Sequence, residues 1–155
     1  MKADEMLREL VDRRDIADLL HAYCTFLDTN RPARVAGLFA EDCVADYGPS
    51  FGGPIRGRER IERGCARTLA MWSATSHHLS NIRIEFPERD RAEASSYLYA
   101  WHRPVDGGPD FHLWARYYDR LRRTPDGWRL AERRLRVAGQ SGGEFDFAPI
   151  ERAPG

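Results

Sequence analysis

The sequence predicts an α+β fold in which N-terminal helices pack on a curved antiparallel sheet that forms a cone with an internal pocket. Apolar residues recur every three or four positions in the first half of the chain, whereas β-branched and aromatic residues dominate after about residue 75. A run of helices followed by a run of strands buries its apolar faces when the helices cover one side of the sheet. The concave side of such a sheet is a natural place for a small apolar ligand.

Three helical segments are expected before the strands. A long apolar stripe predicts the first helix over residues 4–28. Asn30-Arg31-Pro32 restarts the helix, because Asn caps well and Pro is tolerated in a first turn, so a second helix should end near Glu41. A third helical segment is expected over residues 58–71. The stripe of the first helix comprises Leu7, Leu10, Val11, Ile16, Leu19, Leu20, Tyr23, Phe26 and Leu27.

The rest of the chain predicts strands. A first strand over residues 43–47 is followed by a loop rich in Gly and Pro over residues 48–54. Turn signals then separate four further strands, which should form an antiparallel meander. These strands are expected over residues 75–86, 91–103, 110–122 and 128–137. Residues 140–155 are interpreted as a tail that is ordered only if it packs on something, and residues 1–155 as one domain.

Composition limits the classes of partner. The 24 basic and 24 acidic residues cancel, which removes the general attraction that binders of nucleic acid and anionic membranes use. No apolar run approaches the roughly 20 residues of a membrane span, and the chain starts without an apolar signal core. We therefore expect a cytoplasmic protein that binds neither nucleic acid nor membranes.

Metal and nucleotide chemistry have no local signature. Cys24, Cys43 and Cys65 are widely spaced and form no CxxC pair, and the histidines show neither HxxxH nor HExxH spacing. The glycines of residues 48–53 match neither GxGxxG nor GxxxxGK[ST]. A site of two histidines and one carboxylate from scattered positions would leave no such signature. We expect no metal and no cofactor.

An aromatic hydroxyl, a carboxylate and an imidazole are available for acid–base chemistry. Tyr23 and Asp28 lie five residues apart at the end of the first helix, and His77 and His78 lie early in the meander. Such groups move protons to and from organic substrates when the fold brings them together. The pattern alone gives Asp28 two interpretations. Its carboxylate either turns partly inward toward a partner, or faces water and caps the next turn.

The two histidines are neighbours on a predicted strand, so their side chains point to opposite faces and only one of them can be catalytic. Alternation groups His77 with Leu79 and Asn81. It groups His78 with aliphatic residues such as Ile82, which makes the side of His78 the more buried one. This alternation conflicts with a pocket on the side of His77, unless both faces of the strand are covered, one by packing and one by the pocket, or a β-bulge shifts the phase of the strand.

One arginine and several aromatic residues complete the candidates. Arg133 lies on the last strand, where a lone arginine is usually solvated. If it points into the cone, its burial requires an anionic partner such as Asp28 or a substrate oxygen. The residues expected to bind substrate are Tyr47, Trp72, Asn81, Tyr99 and Trp114.

The order of these landmarks resembles the SnoaL-like family of the nuclear-transport-factor-like α+β cone superfamily. The chain looks most like the branch that holds lindane dehydrochlorinase, scytalone dehydratase and bile-acid dehydratases. A second catalytic histidine, as in scytalone dehydratase, has no obvious counterpart here. The segments that carry the resemblance are Ala17-Asp18-Leu19-Leu20-His21-Ala22-Tyr23, Leu27-Asp28, Leu38-Phe39-Ala40-Glu41-Asp42-Cys43-Val44, Gly57-Arg58-Glu59-Arg60-Ile61, residues 77–85, Tyr118-Asp119-Arg120 and Asp126-Gly127-Trp128-Arg129-Leu130.

The resemblance implies roles for four residues. Members of this branch pair a helix-one aspartate with a strand histidine, and these positions fall on Asp28 and His77, so the resemblance decides between the two histidines. Tyr23 takes the place of a lysine in the dehydrochlorinase and a tyrosine in bile-acid dehydratases, which favours an oxygen leaving group. Arg133 takes the place of a strand arginine five residues after a tryptophan.

The implied function is a cofactor-independent lyase of the dehydratase type, or an isomerase, that uses an Asp–His dyad. Its substrate would be a small, largely apolar polyketide-, steroid- or terpenoid-like molecule. The same residues also suit a polyketide or epoxide cyclase, and a cone of this type can instead be a ligand-binding or assembly module without activity. Members of the superfamily commonly pair or form trimers through the exposed face of the sheet, so we expect a homo-oligomer, a dimer or a trimer.

Overall fold

The helices precede most of the strands, as the change in apolar period predicts. The computed structural model describes residues 2–155. The helices are Ala3–Asp28 (α1), Pro32–Gly37 (α2) and Arg58–Leu69 (α3), and the strands are Phe39–Asp46 (β1), Pro54–Arg56 (β2), Trp72–Glu88 (β3), Arg91–Pro104 (β4), Phe111–Thr124 (β5) and Gly127–Ser141 (β6). The predicted α+β class is confirmed.

The strands within residues 2–155 form one sheet in the order β2-β1-β6-β5-β4-β3. Strands β3 to β6 pair as the predicted antiparallel meander, whereas β1 pairs with β6 in parallel and with the short β2 in antiparallel orientation. The sheet is therefore antiparallel except for one parallel pair near its edge.

The boundary between α2 and β1 differs from the prediction. Helix α2 ends at Gly37, not near Glu41, and β1 begins at Phe39. Phe39 is fully buried in the core and pairs with Leu130 of β6, while the backbone N–H of Leu130 donates to the carbonyl oxygen of Leu38 at 2.9 Å. Pairing with β6 therefore takes over residues whose local pattern also suits a helix.

Helix α1 packs on the sheet along only part of its apolar stripe. Ile16 and Leu20 are fully buried, but Leu7 and Leu10 are each 62% exposed. The first buried residue of α1 is Asp12, whose carboxylate accepts hydrogen bonds from the Trp128 indole at 3.1 Å and the Arg123 guanidinium at 2.7 Å. The prediction of a buried stripe is therefore wrong for the N-terminal turns of α1.

The C-terminal segment packs along β6, which runs to Ser141, beyond its predicted end at residue 137. The backbone N–H of Val137 donates to the carbonyl of Ala148 at 2.9 Å, and Ile150 donates back to Val137 at 3.1 Å. Gly142 leaves β6 with a φ of +80° so close to the Asp110 carbonyl that a Cβ would lie 1.9 Å from that oxygen. The expected tail is thus ordered by contacts that require glycine at this turn.

None of the helices within residues 2–155 combines the length and the apolarity that crossing a bilayer requires.

Candidate active site

A cavity of about 810 Å³ lies between the helices and the inner face of the sheet. Its wall is largely apolar and includes Leu27 from α1, Ile61 from α3, Phe111 from β5 and Leu135 from β6. This volume lies in the usual range for sites that enclose a small organic molecule. The predicted internal pocket of the cone is therefore present.

The carboxylate of Asp28 and the imidazole of His77 meet at this cavity. Asp28 Oδ1 lies 2.6 Å from His77 Nδ1, and Asp28 Oδ2 accepts the backbone N–H of His77 at 2.9 Å. The Thr75 hydroxyl donates to Asp28 Oδ1 at 2.8 Å. Helix α1 ends at Asp28 where β3 passes, which brings together residues 49 positions apart. Of the two interpretations of Asp28, the structure shows the carboxylate with a partner.

These hydrogen bonds set the proton arrangement of the pair. Partial burial raises the pKa of the Asp28 carboxyl, but hydrogen bonds from His77 and Thr75 outweigh this effect and hold its pKa below the ordinary value. An ionised carboxylate only accepts hydrogen bonds, so His77 Nδ1 carries a proton. Nε2 of a neutral His77, whose side chain lines the cavity and is 8% exposed, then has a free lone pair. A general base requires this arrangement.

A β-bulge resolves the conflict between the two histidines. Asn81 has a φ of +52°, and the β3–β4 register shifts around it. Before the bulge, His77 lies opposite the buried Ala100 and faces inward. After the bulge, Ile84 faces inward as well, so the strand keeps both on the inner side. His78 points to the outer face, where the centroid of its ring lies 5.8 Å from that of Tyr99.

Tyr23 and Tyr47 form a hydroxyl pair in the cavity wall, with their oxygens 2.7 Å apart. Burial raises the pKa of Tyr23 to about 12, although Arg133 and the hydrogen bond with Tyr47 oppose the rise. Burial also raises the pKa of Tyr47 well above its ordinary value. Both hydroxyls therefore stay protonated near neutral pH. Whichever one donates to the other, its partner keeps a proton for a bound oxygen atom.

Arg133 points inward and is fully buried, but its partner differs from the expected one. Its Nε and Nη2 each donate to a carboxylate oxygen of Asp119 at 2.8 Å, because the two residues are paired across β5 and β6. The guanidinium carbon lies 4.2 Å from the Tyr23 ring centroid and 3.8 Å from that of Tyr117. The alternative of an Arg133–Asp28 pair is therefore corrected, because the register of β5 and β6 gives Arg133 the carboxylate of Asp119 instead.

His102 is a cavity residue that motif and spacing did not indicate. Its ring centroid lies 5.2 Å from that of His77 and 4.8 Å from the Trp72 ring. Burial lowers the pKa of His102 to about 4, and the nearby His77 adds to this effect. A second histidine is thus present at the site, contrary to expectation. Alternation along β4, which buries Leu98 and Ala100, is the signal that would have found it.

The residues expected to bind substrate divide into two groups. Tyr47 and Trp72 line the cavity. Tyr99 and Trp114 lie on the outer face of the sheet with their rings 5.7 Å apart, because the alternate residues of β4 and β5 face inward. Asn81 is exposed at the bulge. The structure thus does not bring Asn81, Tyr99 and Trp114 to the cavity.

The segment after β6 completes the wall of the cavity. Phe145 and Phe147 line it and stack on Phe51, with ring centroids 5.6 and 5.7 Å away. The Gln140 side chain holds the backbone of Phe145 through two hydrogen bonds of 2.8 and 3.1 Å. The C-terminal segment therefore closes the cavity on the side of the β1–β2 connection.

Within residues 2–155, no group of three His, Cys, Asp or Glu side chains is arranged to hold a metal ion. Cys24, Cys43 and Cys65 are free. Burial raises the pKa of Cys24 to about 11 and that of Cys65 to about 12, so both remain neutral thiols near neutral pH.

Solved structures share this fold over nearly their whole length. A protein of Novosphingobium aromaticivorans provisionally assigned as a scytalone dehydratase is 31% identical and superposes with a TM-score of 0.90, covering 96% of this chain and 99% of that one. A type 2 hexachlorocyclohexane dehydrochlorinase (LinA) is 21% identical and superposes with a TM-score of 0.80, covering 96% and 97% of the two chains. At 21% identity, the likeness to the dehydrochlorinase shows a shared fold and nothing more.

Sequence comparison identifies the family of this chain. An uncharacterized protein of Mycobacterium tuberculosis strain H37Rv is 31% identical over 131 residues, which cover 81% of this chain and 84% of that protein. Residues 8–134 match the SnoaL-like domain family. Since this match spans most of the chain, the chain belongs to the SnoaL-like family.

Proposed function

We propose that the protein is a cofactor-independent lyase or isomerase that acts on a small, largely apolar carbonyl compound of polyketide, steroid or terpenoid type. Of the two reactions, we favour dehydration. The observation that carries this proposal is the 2.6 Å hydrogen bond between Asp28 and His77 Nδ1, which leaves Nε2 free at an apolar cavity. An imidazole held in this way is a general base without the help of a metal or a cofactor.

In the proposed dehydration, His77 Nε2 removes the proton from the carbon next to the substrate carbonyl. The C–H electron pair forms the new carbon–carbon double bond as the C–O bond to the neighbouring hydroxyl breaks. The departing oxygen takes the proton from His77 and leaves as water, which restores the neutral imidazole. In the isomerase variant, the proton instead returns to another carbon of the substrate. Asp28 stabilises the transient imidazolium in both cases.

The Tyr23–Tyr47 pair supplies the electrophilic side of the reaction. The hydroxyl that accepts the hydrogen bond within the pair donates its own O–H to the substrate carbonyl oxygen and stabilises the negative charge that develops there. Because burial raises the pKa of Tyr23 to about 12, the hydroxyl donates a hydrogen bond without losing its proton. This arrangement favours a substrate that carries a carbonyl oxygen.

The comparisons support the same class of reaction. The 31% identical Novosphingobium protein is provisionally assigned as a dehydratase, and its chain is covered almost completely by this one. Membership of the SnoaL-like family is compatible with a dehydration reaction. Substrate identity rests on the cavity, whose wall is mostly apolar.

The test is a screen of cyclic β-hydroxyketones in deuterium oxide. Mass spectrometry detects loss of water, and NMR detects deuterium at any carbon to which His77 returns a proton. We expect His77→Gln and Asp28→Asn to lose both activities while keeping the fold, as judged by circular dichroism. His78→Gln is the matched control, because its side chain lies on the outer face of the same strand, and it should keep the wild-type rate. A folded His77→Gln variant that still turns over would remove the proposed base.

A further inference from the structure

One side of the cavity is bordered by arginines. Arg60, Arg63 and Arg67 lie on α3 and belong to the cavity wall, and all three are exposed. Their spacing of three and four residues places them on one face of the helix. The next face of α3 carries the buried Ile61 and Leu69 into the core. The arginine stems therefore border the apolar space while their charged heads reach water at its rim.

These arginines have no acidic partners. Within residues 2–155, none of the three forms an ion pair. Glu59 precedes Arg63 by four residues, a spacing that favours a pair on a helix, yet it does not belong to the cavity wall. The wall formed by the described residues contains no Asp or Glu at all. Asp28 does not belong to this wall, and its carboxylate is hydrogen-bonded to His77.

The positive charge is therefore a local feature and not a property of the whole protein. The chain as a whole has 24 basic and 24 acidic residues, but three guanidinium groups concentrate where an apolar cavity meets water. Like charges repel, and a low-dielectric wall strengthens their combined field at the mouth. An anion placed there would relieve the repulsion and gain bidentate hydrogen bonds.

We propose that Arg60, Arg63 and Arg67, the arginine rim, bind an anionic group of the substrate while its apolar part fills the cavity. The ligand class is an amphipathic anion in which a carboxylate or a phosphate is attached to an apolar body. This inference rests on the proposed function for the cavity being the substrate site. It changes the expected substrate from a neutral apolar molecule to one with a charged end that stays at the mouth.

The test uses three probes with the same alkyl chain, namely decanoate, decyl phosphate and 1-decanol, and measures binding by isothermal titration calorimetry at low ionic strength. We expect the wild-type protein to bind an anionic probe about tenfold more tightly than 1-decanol. The preference should disappear at high salt, because exposed charges are screened. The two anionic probes distinguish a carboxylate site from a phosphate site according to which binds more tightly.

The triple variant Arg60→Gln/Arg63→Gln/Arg67→Gln should bind 1-decanol unchanged and lose the preference for anions. The control Arg8→Gln/Arg89→Gln/Arg91→Gln removes the same charge at exposed residues outside the cavity wall, and should keep the preference. Equal binding of anionic and neutral probes by the wild type, failure of the anionic probes to bind, or an undiminished preference in the rim variant would overturn the proposal.

Binding of these probes is independent of the proposed chemistry. His77→Gln should keep the preference for anions, since the arginine rim remains intact. If the preference is present but His77→Gln retains turnover, the dyad fails and the anion site stands. If His77→Gln loses turnover and no preference is found, the anion site fails and the dyad stands.

Discussion

The ring of His102 lies edge-on to the ring of His77, with centroids 5.2 Å apart and planes at 86°. Because burial lowers the pKa of His102 to about 4, this second imidazole is neutral near neutral pH. A neutral neighbour adds no repulsion when His77 takes a proton, whereas a charged one would oppose it. His102 therefore shapes the surroundings of the proposed base without competing for its proton.

Replacing His102 should make folding less sensitive to acid. The folded-state pKa of about 4 lies below the ordinary value of 6.5, so the unfolded chain binds more protons between these values and stability falls as the pH is lowered through this window. His102→Phe removes that loss. Between pH 6.5 and about pH 4, the wild type should lose roughly 3 kcal/mol more of its free energy of unfolding than His102→Phe, measured by urea denaturation. Equal losses would show that His102 is not a buried neutral base.

The hydrogen bonds to Asp28 should differ in their effect on turnover. Asp28→Asn removes the charge that stabilises the His77 imidazolium, so kcat/KM should fall by about 100-fold or more. Thr75→Val removes only the 2.8 Å hydrogen bond to Asp28, so kcat/KM should fall by about tenfold or less. The measurement is kcat/KM on a compound found in the dehydration screen. A larger effect of Thr75→Val than of Asp28→Asn would contradict the assignment of Asp28 as the partner of the base.

The Asp119–Arg133 pair should be far more important for stability than an exposed pair of the same residue types. Asp119→Ala leaves a fully buried guanidinium without its carboxylate, and we expect the free energy of unfolding to fall by about 3–5 kcal/mol. The control is Asp42→Ala, which breaks the exposed pair with Arg122 and should cost less than about 1 kcal/mol. Denaturant titration of both variants provides the comparison, and similar losses would mean that Arg133 is stabilised by other groups.

Patterns within a single element predicted much of this molecule. The period of apolar residues located α1 and the meander, and the family pattern selected Asp28 and His77, which the fold brings within hydrogen-bond distance. Alternation of the strands could also have placed His102 inside and Tyr99 outside, because His102 shares the parity of the buried Ala100 on β4 and Tyr99 does not.

Relationships between distant elements were harder to predict. The partner of Arg133 depends on the register of β5 against β6, which places Asp119 opposite it. The parallel pairing of β1 with β6 likewise depends on contacts between distant parts of the chain. The arginine rim combines a helix pattern with the position of a cavity, and the sequence specifies only the pattern. Local propensity does not determine register or the position of a void, because packing decides both.

The bulge at Asn81 gives the last prediction. Its φ of +52° is a left-handed conformation that Gly and Asn tolerate but β-branched residues do not. Asn81→Gly should therefore keep both stability and activity, whereas Asn81→Val should lose about 1–2 kcal/mol of unfolding free energy. Ser80→Val is the control, since it places the same side chain next to the bulge on an exposed strand position, where Val is favoured.

Activity should follow the backbone at this position and not the amide side chain. The bulge sets the phase that keeps His77 and Ile84 on the same face of β3. Asn81→Val, by straining that turn, should lower kcat/KM together with stability, while Asn81→Gly, which lacks any side chain, should not. Asn81 is exposed and lies outside the cavity wall. Loss of activity in a stable Asn81→Gly variant would nevertheless show that its side chain contributes to substrate binding.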